Sequence, residues 1–197
     1  MEQPPKIGCV VMAAGNARRY GKNKLSQRLG GRPLICHALE AIPQELFAQV
    51  VVVTQYSEFT AYVKDFNFIS ILNLEAEKGI SSTIALGLSA LKDCNGVLFS
   101  VSDQPLLRRE SVAALVELWR RTPDKIAALS HSGLRGNPCL FPARFFPELM
   151  ALTGDRGGSA VIHRHEEDVV LLETAEQELW DVDTPEALEA IRASFET

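Results

Sequence analysis

Short runs rich in Val, Ile, Leu and Phe, separated by segments of helical period, constrain this chain more than any other feature. The runs are Ile7 to Met12, Gln49 to Thr54, Phe68 to Leu74, Gly96 to Val101 and Ile126 to Ser130. Between the first two, Leu34, Ile35, Ala38, Leu39 and Ile42 keep the three-four spacing of one helix face, and Pro43 ends it. Val112, Leu115, Val116 and Trp119 repeat that spacing later. A buried strand, then a helix that crosses one sheet face, then another strand predicts a doubly wound, mostly parallel α/β sheet, Rossmann-like in class. The apolar stripes are core positions.

Beyond Ile126 the alternation changes. Gly133-Leu134-Arg135-Gly136-Asn137-Pro138 reads as a turn-rich loop, Cys139-Leu140-Phe141 as a short apolar piece, and Thr153 to Ser159 as a second, flexible loop. The chain then returns through Val169 to Leu172 and Leu179 to Asp183 to a final helix begun by Thr184-Pro185-Glu186. At 197 residues a single domain is expected. Its expected parts are a first half (1–125), a substrate-binding lobe (126–182) and a C-terminal helix (183–197).

Charge and composition exclude several classes. A net charge of -5 and a pI of 5.4 do not favour a nucleic acid backbone, although a small anion held by local cations remains compatible. No apolar run approaches the roughly 18 to 20 residues of a membrane span, and Met1 to Lys6 lack the features of a secretory signal, so a cytoplasmic protein is expected. Cys9, Cys36, Cys94 and Cys139 form no C-x-x-C pair and read as reduced core residues. His163 and His165 point to opposite sides of a strand or loop, which disfavours a shared metal, and no Ser-His-Asp arrangement is suggested.

Chemistry concentrates behind the first apolar run. Met12-Ala13-Ala14-Gly15-Asn16-Ala17-Arg18-Arg19-Tyr20-Gly21-Lys22-Asn23-Lys24-Leu25 combines small residues with fixed positive charge where a polyphosphate can lie. It fits neither G-x-x-x-x-G-K-[ST] nor G-x-G-x-x-G, and the bland reading is a solvated basic loop. Asp103, in Val101-Ser102-Asp103-Gln104-Pro105 at the end of a buried run, is placed to hold Mg²⁺; alternatively it opens a turn before the helix near Arg109 to Arg121. Asp183, in Asp181-Val182-Asp183, is a second metal carboxylate or, taken by itself, a helix N-cap. Gly79, Ser81, Ser82 and Thr83 precede the helical Ile84 to Leu91, where hydroxyls either bind a ligand or cap the helix.

These pieces resemble a known family when taken in order. Ala13-Ala14-Gly15-x-Ala17-x-Arg19-Tyr20-Gly21-x-x-Lys24 is similar to the L-A-A-G-x-S-x-R-M-G-x-x-K signature of the MobA-like nucleotidyltransferases, and Ser102-Asp103-Gln104-Pro105 to their metal-binding motif. Gly79-x-Ser81-Ser82-Thr83, Gly136-Asn137-Pro138, Gly154-Asp155-x-Gly157 and Trp180 to Glu186 also match, so the resemblance covers nearly the whole chain. Within the family it is strongest to the molybdenum cofactor cytidylyltransferases, because Ala14 stands where guanylyl-transferring relatives carry a second Gly. Ala17, Tyr20 and Gly158-Ser159 depart from the usual Ser, Met and Ala-Arg.

The resemblance implies Mg²⁺-dependent transfer of CMP from CTP to the terminal phosphate of molybdopterin, with pyrophosphate released. It implies that Ala13, Ala14, Gly15, Gly79, Ser81 and Ser82 lie against the nucleotide and that Arg19 and Lys24 hold the triphosphate. Asp103 and Asp183 would bind the metal, with Arg19, Lys24 and Asp103 as the catalytic set, and Asn137, Pro138 and Asp155 would face the acceptor. A molybdenum hydroxylase is the implied recipient of the product. Two other readings stay open: another triphosphate or phosphorylated acceptor, and a non-catalytic carrier that delivers finished cofactor.

Overall fold

The computed structural model describes residues 4–15 and 23–195. In chain order, β1 (Ile7–Ala13) is followed by a small hairpin of β2 (Arg28–Leu29) and β3 (Arg32–Pro33), then α1 (Leu34–Glu40) and β4 (Gln49–Thr54). Next come α2 (Thr60–Asp65), β5 (Ile69–Leu72), α3 (Ile80–Ala90), β6 (Gly96–Val101), α4 (Arg109–Arg121) and β7 (Ile126–His131). The chain ends with β8 (Leu134–Pro142), α5 (Phe146–Met150), α6 (Ser159–Ile162), β9 (Val169–Glu173) and α7 (Pro185–Phe195).

Among the described residues, seven strands form one sheet in the order β5-β4-β1-β6-β8-β7-β9. β8 runs antiparallel to both neighbours, while the other pairings are parallel, as expected from the sequence. Both faces are covered, which explains the nearly unbroken apolar strands. Cys9, Val11 and Ala13 of β1 pack with Ile35, Leu39, Val112, Leu115 and Trp119 on one face. Val10 points to the other, with Ile84 and Leu88 of α3 and Val161 and Ile162 of α6. Successive residues of β4, β6 and β7 divide the same way, the period of two that a pleated strand imposes. A smaller cluster joins Leu29 and Leu34 to Val182, Leu188 and Ile191, tying the C-terminal helix to the region that follows the first loop.

All four cysteines are buried and free. Burial pushes each thiol above its ordinary pKa, so none is activated as a nucleophile.

Three local expectations are corrected. Only Gly133 of the expected loop lies in a turn: Leu134 to Pro142 form one strand, in which Arg135 faces Ser130 and Cys139 faces Ala128 across an irregular register. Pro138 lacks an N–H and is tolerated at that irregularity, and Gly136 leaves room for Leu179, whose Cδ1 would lie 2.9 Å from an added Cβ. Secondly, α3 begins at Ile80, so Ser81, Ser82 and Thr83 sit inside its first turn rather than before it. Thirdly, Asp183 does not cap α7: Thr184 Oγ1 accepts the Ala187 N–H at 3.2 Å, and the Asp183 carboxylate is left to face elsewhere.

Candidate active site

From β1 the chain moves to β4 and β5 on one side, then crosses back to β6 on the opposite side of β1. Two loops therefore diverge from the carboxyl ends of adjacent parallel strands, the position at which open α/β sheets bind ligands. A cavity of about 300 Å³ opens there. Ala14, Gly15 and Lys24 line it from the first loop, Ser102 and Asp103 from the second, Gly79 and Thr83 from the start of α3, and Asp155 from the segment before α6. Met12, Leu25, Ala76, Ile80 and Val101 supply an apolar wall.

The rim is held by side chains from neighbouring strands. Ser102 Oγ donates to the Met12 carbonyl at 2.8 Å, joining the ends of β6 and β1. Gln55 Nε2 donates to the Ala14 carbonyl at 2.9 Å and Tyr56 Oη to the Gly15 carbonyl at 3.3 Å, so residues just beyond β4 fix the chain where it leaves β1. Gly79 has φ +93°, and a Cβ there would lie 2.4 Å from the Gly154 carbonyl carbon. Only glycine meets both conditions. The Ser81 N–H donates to the Gly154 carbonyl at 3.2 Å, which locks the segment bearing Asp155 onto α3.

Charge converges at the mouth. Lys24 Nζ donates to Asp103 Oδ2 at 2.6 Å and to Asp183 Oδ1 at 3.1 Å. Burial acts to lower the Lys24 pKa, but the two carboxylates outweigh it and hold the ammonium above its ordinary value. The Val182 N–H donates to the Asp103 carbonyl at 2.9 Å, bringing the segment before α7 alongside the turn after β6. Gln104, 2% exposed, donates from Nε2 to the Leu179 carbonyl at 3.2 Å and to Asp181 Oδ1 at 2.9 Å. Burial first, and the charge of Asp103 next, push the Asp181 carboxyl up to about 6.

Lys24, Asp103, Asp183, Ala14, Gly15, Gly79 and Asp155 are thus brought to one place. Ala13 is fully buried, Ser81 and Ser82 do not line the cavity, and Asn137 and Pro138 lie on β8 outside its wall. Arg19 falls outside the described residues. Of the three hydroxyls the sequence offers before Ile84, Thr83 is the one that lines the cavity. Sequence reading missed Gln55, Tyr56 and Asn73; each sits just past a strand end, a positional signal without a motif.

The donor set fits a divalent cation. Two carboxylates already share one cationic point, the Lys24 ammonium, and hard oxygen ligands of this kind suit Mg²⁺. Asp183 rather than Asp181 takes part in that point, since Asp181 Oδ1 is engaged by Gln104. Elsewhere among the described residues, His165, Glu167 and Asp168 offer ligand atoms within 4.8 Å of one another. Asp168 is already paired with Lys125 and Arg144, and His165 with Glu148.

A mostly parallel sheet with a cavity at its reversal point, rimmed by a lysine and carboxylates, defines a nucleotide-binding α/β transferase. The chain belongs to the family of the MobA-like NTP transferase domain, whose model matches residues 9–169, and it is a nucleotidyltransferase. Purine catabolism protein PucB of Bacillus subtilis (strain 168) is 28% identical over 208 residues, covering 99% of this chain and 100% of that protein. A 2-C-methyl-D-erythritol 4-phosphate cytidylyltransferase of Dehalococcoides mccartyi is 31% identical over 130 residues, which span 63% of this chain and 57% of that protein. In fold, the crystal structure of Rv0371c from Mycobacterium tuberculosis H37Rv is similar with a TM-score of 0.80 at 19% identity, covering 97% of this chain and 100% of that one. No helix among the described residues is long and apolar enough to cross a membrane.

Proposed function

We propose that this nucleotidyltransferase transfers CMP from CTP to the terminal phosphate of molybdopterin and releases pyrophosphate. The observation that carries the reading is the Lys24 ammonium held between Asp103 and Asp183 at the mouth of a cavity entered by the first loop. In this proposal residues 1–125 bind nucleotide, 126–182 bind acceptor, and 183–197 bring Asp183 to the site.

An acceptor phosphate oxygen attacks the α-phosphorus of CTP in line, and the bond to the pyrophosphate oxygen breaks, with no covalent enzyme intermediate. Catalysis of this kind is mainly positioning and charge stabilisation. Lys24 exchanges its carboxylate partners for phosphate oxygens and neutralises charge on the triphosphate, with Arg19 assigned the same task. Asp103 and Asp183 would hold Mg²⁺, which when bound withdraws charge from the phosphates. Asp155, on the segment bonded to α3, is assigned to the acceptor, as are Asn137 and Pro138.

The Ala14 methyl favours the smaller base. Ala14 is 4% exposed and its carbonyl is pinned by Gln55, so the methyl cannot withdraw from a bound purine. The relatives include both a cytidylyltransferase and molybdenum cofactor guanylyltransferases, so the choice of base rests on Ala14.

Pyrophosphate release from CTP, GTP, ATP and UTP, each with Mg²⁺ and molybdopterin, tests the reading. Release with CTP alone is expected. No release with any triphosphate overturns it, and a carrier that delivers cofactor to a hydroxylase would then keep that delivery in Asp103→Ala.

A further inference from the structure

Asn73 lies between the end of β5 and the first turn of α3 and is 2% exposed. Its Oδ1 accepts the Glu75 N–H at 2.9 Å. A backbone N–H can only donate, so the amide orientation is fixed and the nitrogen faces α3. That Nδ2 donates to Ser82 Oγ at 3.0 Å and to Thr83 Oγ1 at 3.1 Å.

The two hydroxyls then differ in what they can do next. Ser82 passes its own proton to the Gly79 carbonyl at 2.8 Å, which closes its hydrogen bonding within the turn. No described residue accepts the Thr83 proton, although Thr83 is only 4% exposed and forms part of the cavity wall. With Asn73 donating to its oxygen, the Thr83 proton cannot point toward Asn73, which leaves it for an acceptor in the cavity that Thr83 lines.

We propose that Asn73 is a positioning residue for the nucleobase, acting by fixing the Thr83 hydroxyl as a hydrogen-bond donor into the cavity. This rests on the reading that a nucleotide occupies that cavity. Thr83 then selects a base that presents an acceptor at this point, either a ring carbonyl oxygen or an unprotonated ring nitrogen. A base with an N–H there sets proton against proton and leaves a buried donor unpaired.

Asn73→Asp reverses the polarity at almost constant shape. One carboxylate oxygen still accepts the Glu75 N–H, and the other takes the Thr83 proton instead of donating to its oxygen. Calorimetric binding of CTP with Mg²⁺ is compared with binding of tripolyphosphate, which has no base, and the thermal midpoint is followed in parallel.

The expected result is a rise in Kd of about tenfold or more for CTP, with tripolyphosphate binding unchanged. Thr83→Val should reproduce the loss and Thr83→Ser should retain wild-type affinity, which keeps the test intact if Asn73→Asp does not fold. Wild-type CTP affinity in folded Asn73→Asp or in Thr83→Val overturns the inference, as does equal loss for both ligands. Failure of the wild-type protein itself to bind CTP overturns instead the assignment of the cavity to a nucleotide.

Discussion

Lys24 and Asp103 stand 79 positions apart in sequence and share a 2.6 Å hydrogen bond. The same ammonium reaches Asp183, 159 positions away, at 3.1 Å. One cation thus draws the first loop, the turn after β6 and the segment before α7 to a single point. The carboxylates are neutralised before any ligand arrives, which keeps two like charges from separating these segments.

A metal ion must compete with that ammonium in the nucleotide-free protein. Lys24→Met should therefore bind Mn²⁺ more tightly than the wild type in an electron paramagnetic resonance titration without nucleotide. Turnover should nevertheless fall by about a hundredfold or more, because the charge that faces the triphosphate is lost. Weaker Mn²⁺ binding in the variant would show that Lys24 supports the metal position rather than occupying it.

Asp181 gives a pH signature in the metal-free protein. Burial and the Asp103 charge raise its carboxyl to about 6 from an ordinary 3.8, so the folded chain keeps a proton that the unfolded chain has released between those values. The unfolded state binds fewer protons there, and this group's contribution makes stability rise as pH falls from about 6 toward 3.8. Asp181→Asn should remove that component of the slope. Urea midpoints in EDTA across this window measure it, and identical slopes in the two proteins would contradict the assignment.

Gly79 carries a different constraint. Gly79→Ala imposes a Cβ at φ +93° and 2.4 Å from the Gly154 carbonyl carbon, so the segment bearing Asp155 must move off α3. The backbone strain alone costs about 1–3 kcal/mol. A lower thermal midpoint is expected, together with faster amide exchange at Ser81, whose N–H donates to Gly154. Unchanged exchange at Ser81 would show that the segment tolerates the methyl.

Much of this arrangement was legible in sequence because apolar runs read directly as buried strands. Cys9, Val10 and Val11 have no polar alternative, and Val112, Leu115, Val116 and Trp119 mark the buried face of α4 without ambiguity. The motif positions Lys24 and Asp103 were legible too. β8 was not, because Gly136, Asn137 and Pro138 carry turn propensity that tertiary context overrides: β6 pairs with the strand's second half and Leu179 fills the space over Gly136. Nor was it legible that Thr83, rather than Ser81 or Ser82, lines the cavity, since which hydroxyl of a Ser-Ser-Thr run does so depends on where the helix starts, and α3 starts at Ile80 rather than near Ile84.

Gln104 ties the site's last segment in place at a cost to itself. Its Nε2 holds the Leu179 carbonyl and Asp181, while its Oε1 is buried without a partner. A buried acceptor left unpaired costs about 1–3 kcal/mol, so the amide is a poor choice for stability alone. Gln104→Met keeps similar volume, removes the orphaned oxygen and breaks both bonds to the segment that carries Asp183. Thermal stability should therefore change little, by less than about 1.5 kcal/mol in either direction. Mn²⁺ affinity should fall and amide exchange at Val182 should accelerate, because the backbone bond from Val182 to Asp103 then holds the segment with less support. A variant that lost stability while retaining Mn²⁺ affinity and Val182 protection would make Gln104 a core residue rather than one that positions Asp183.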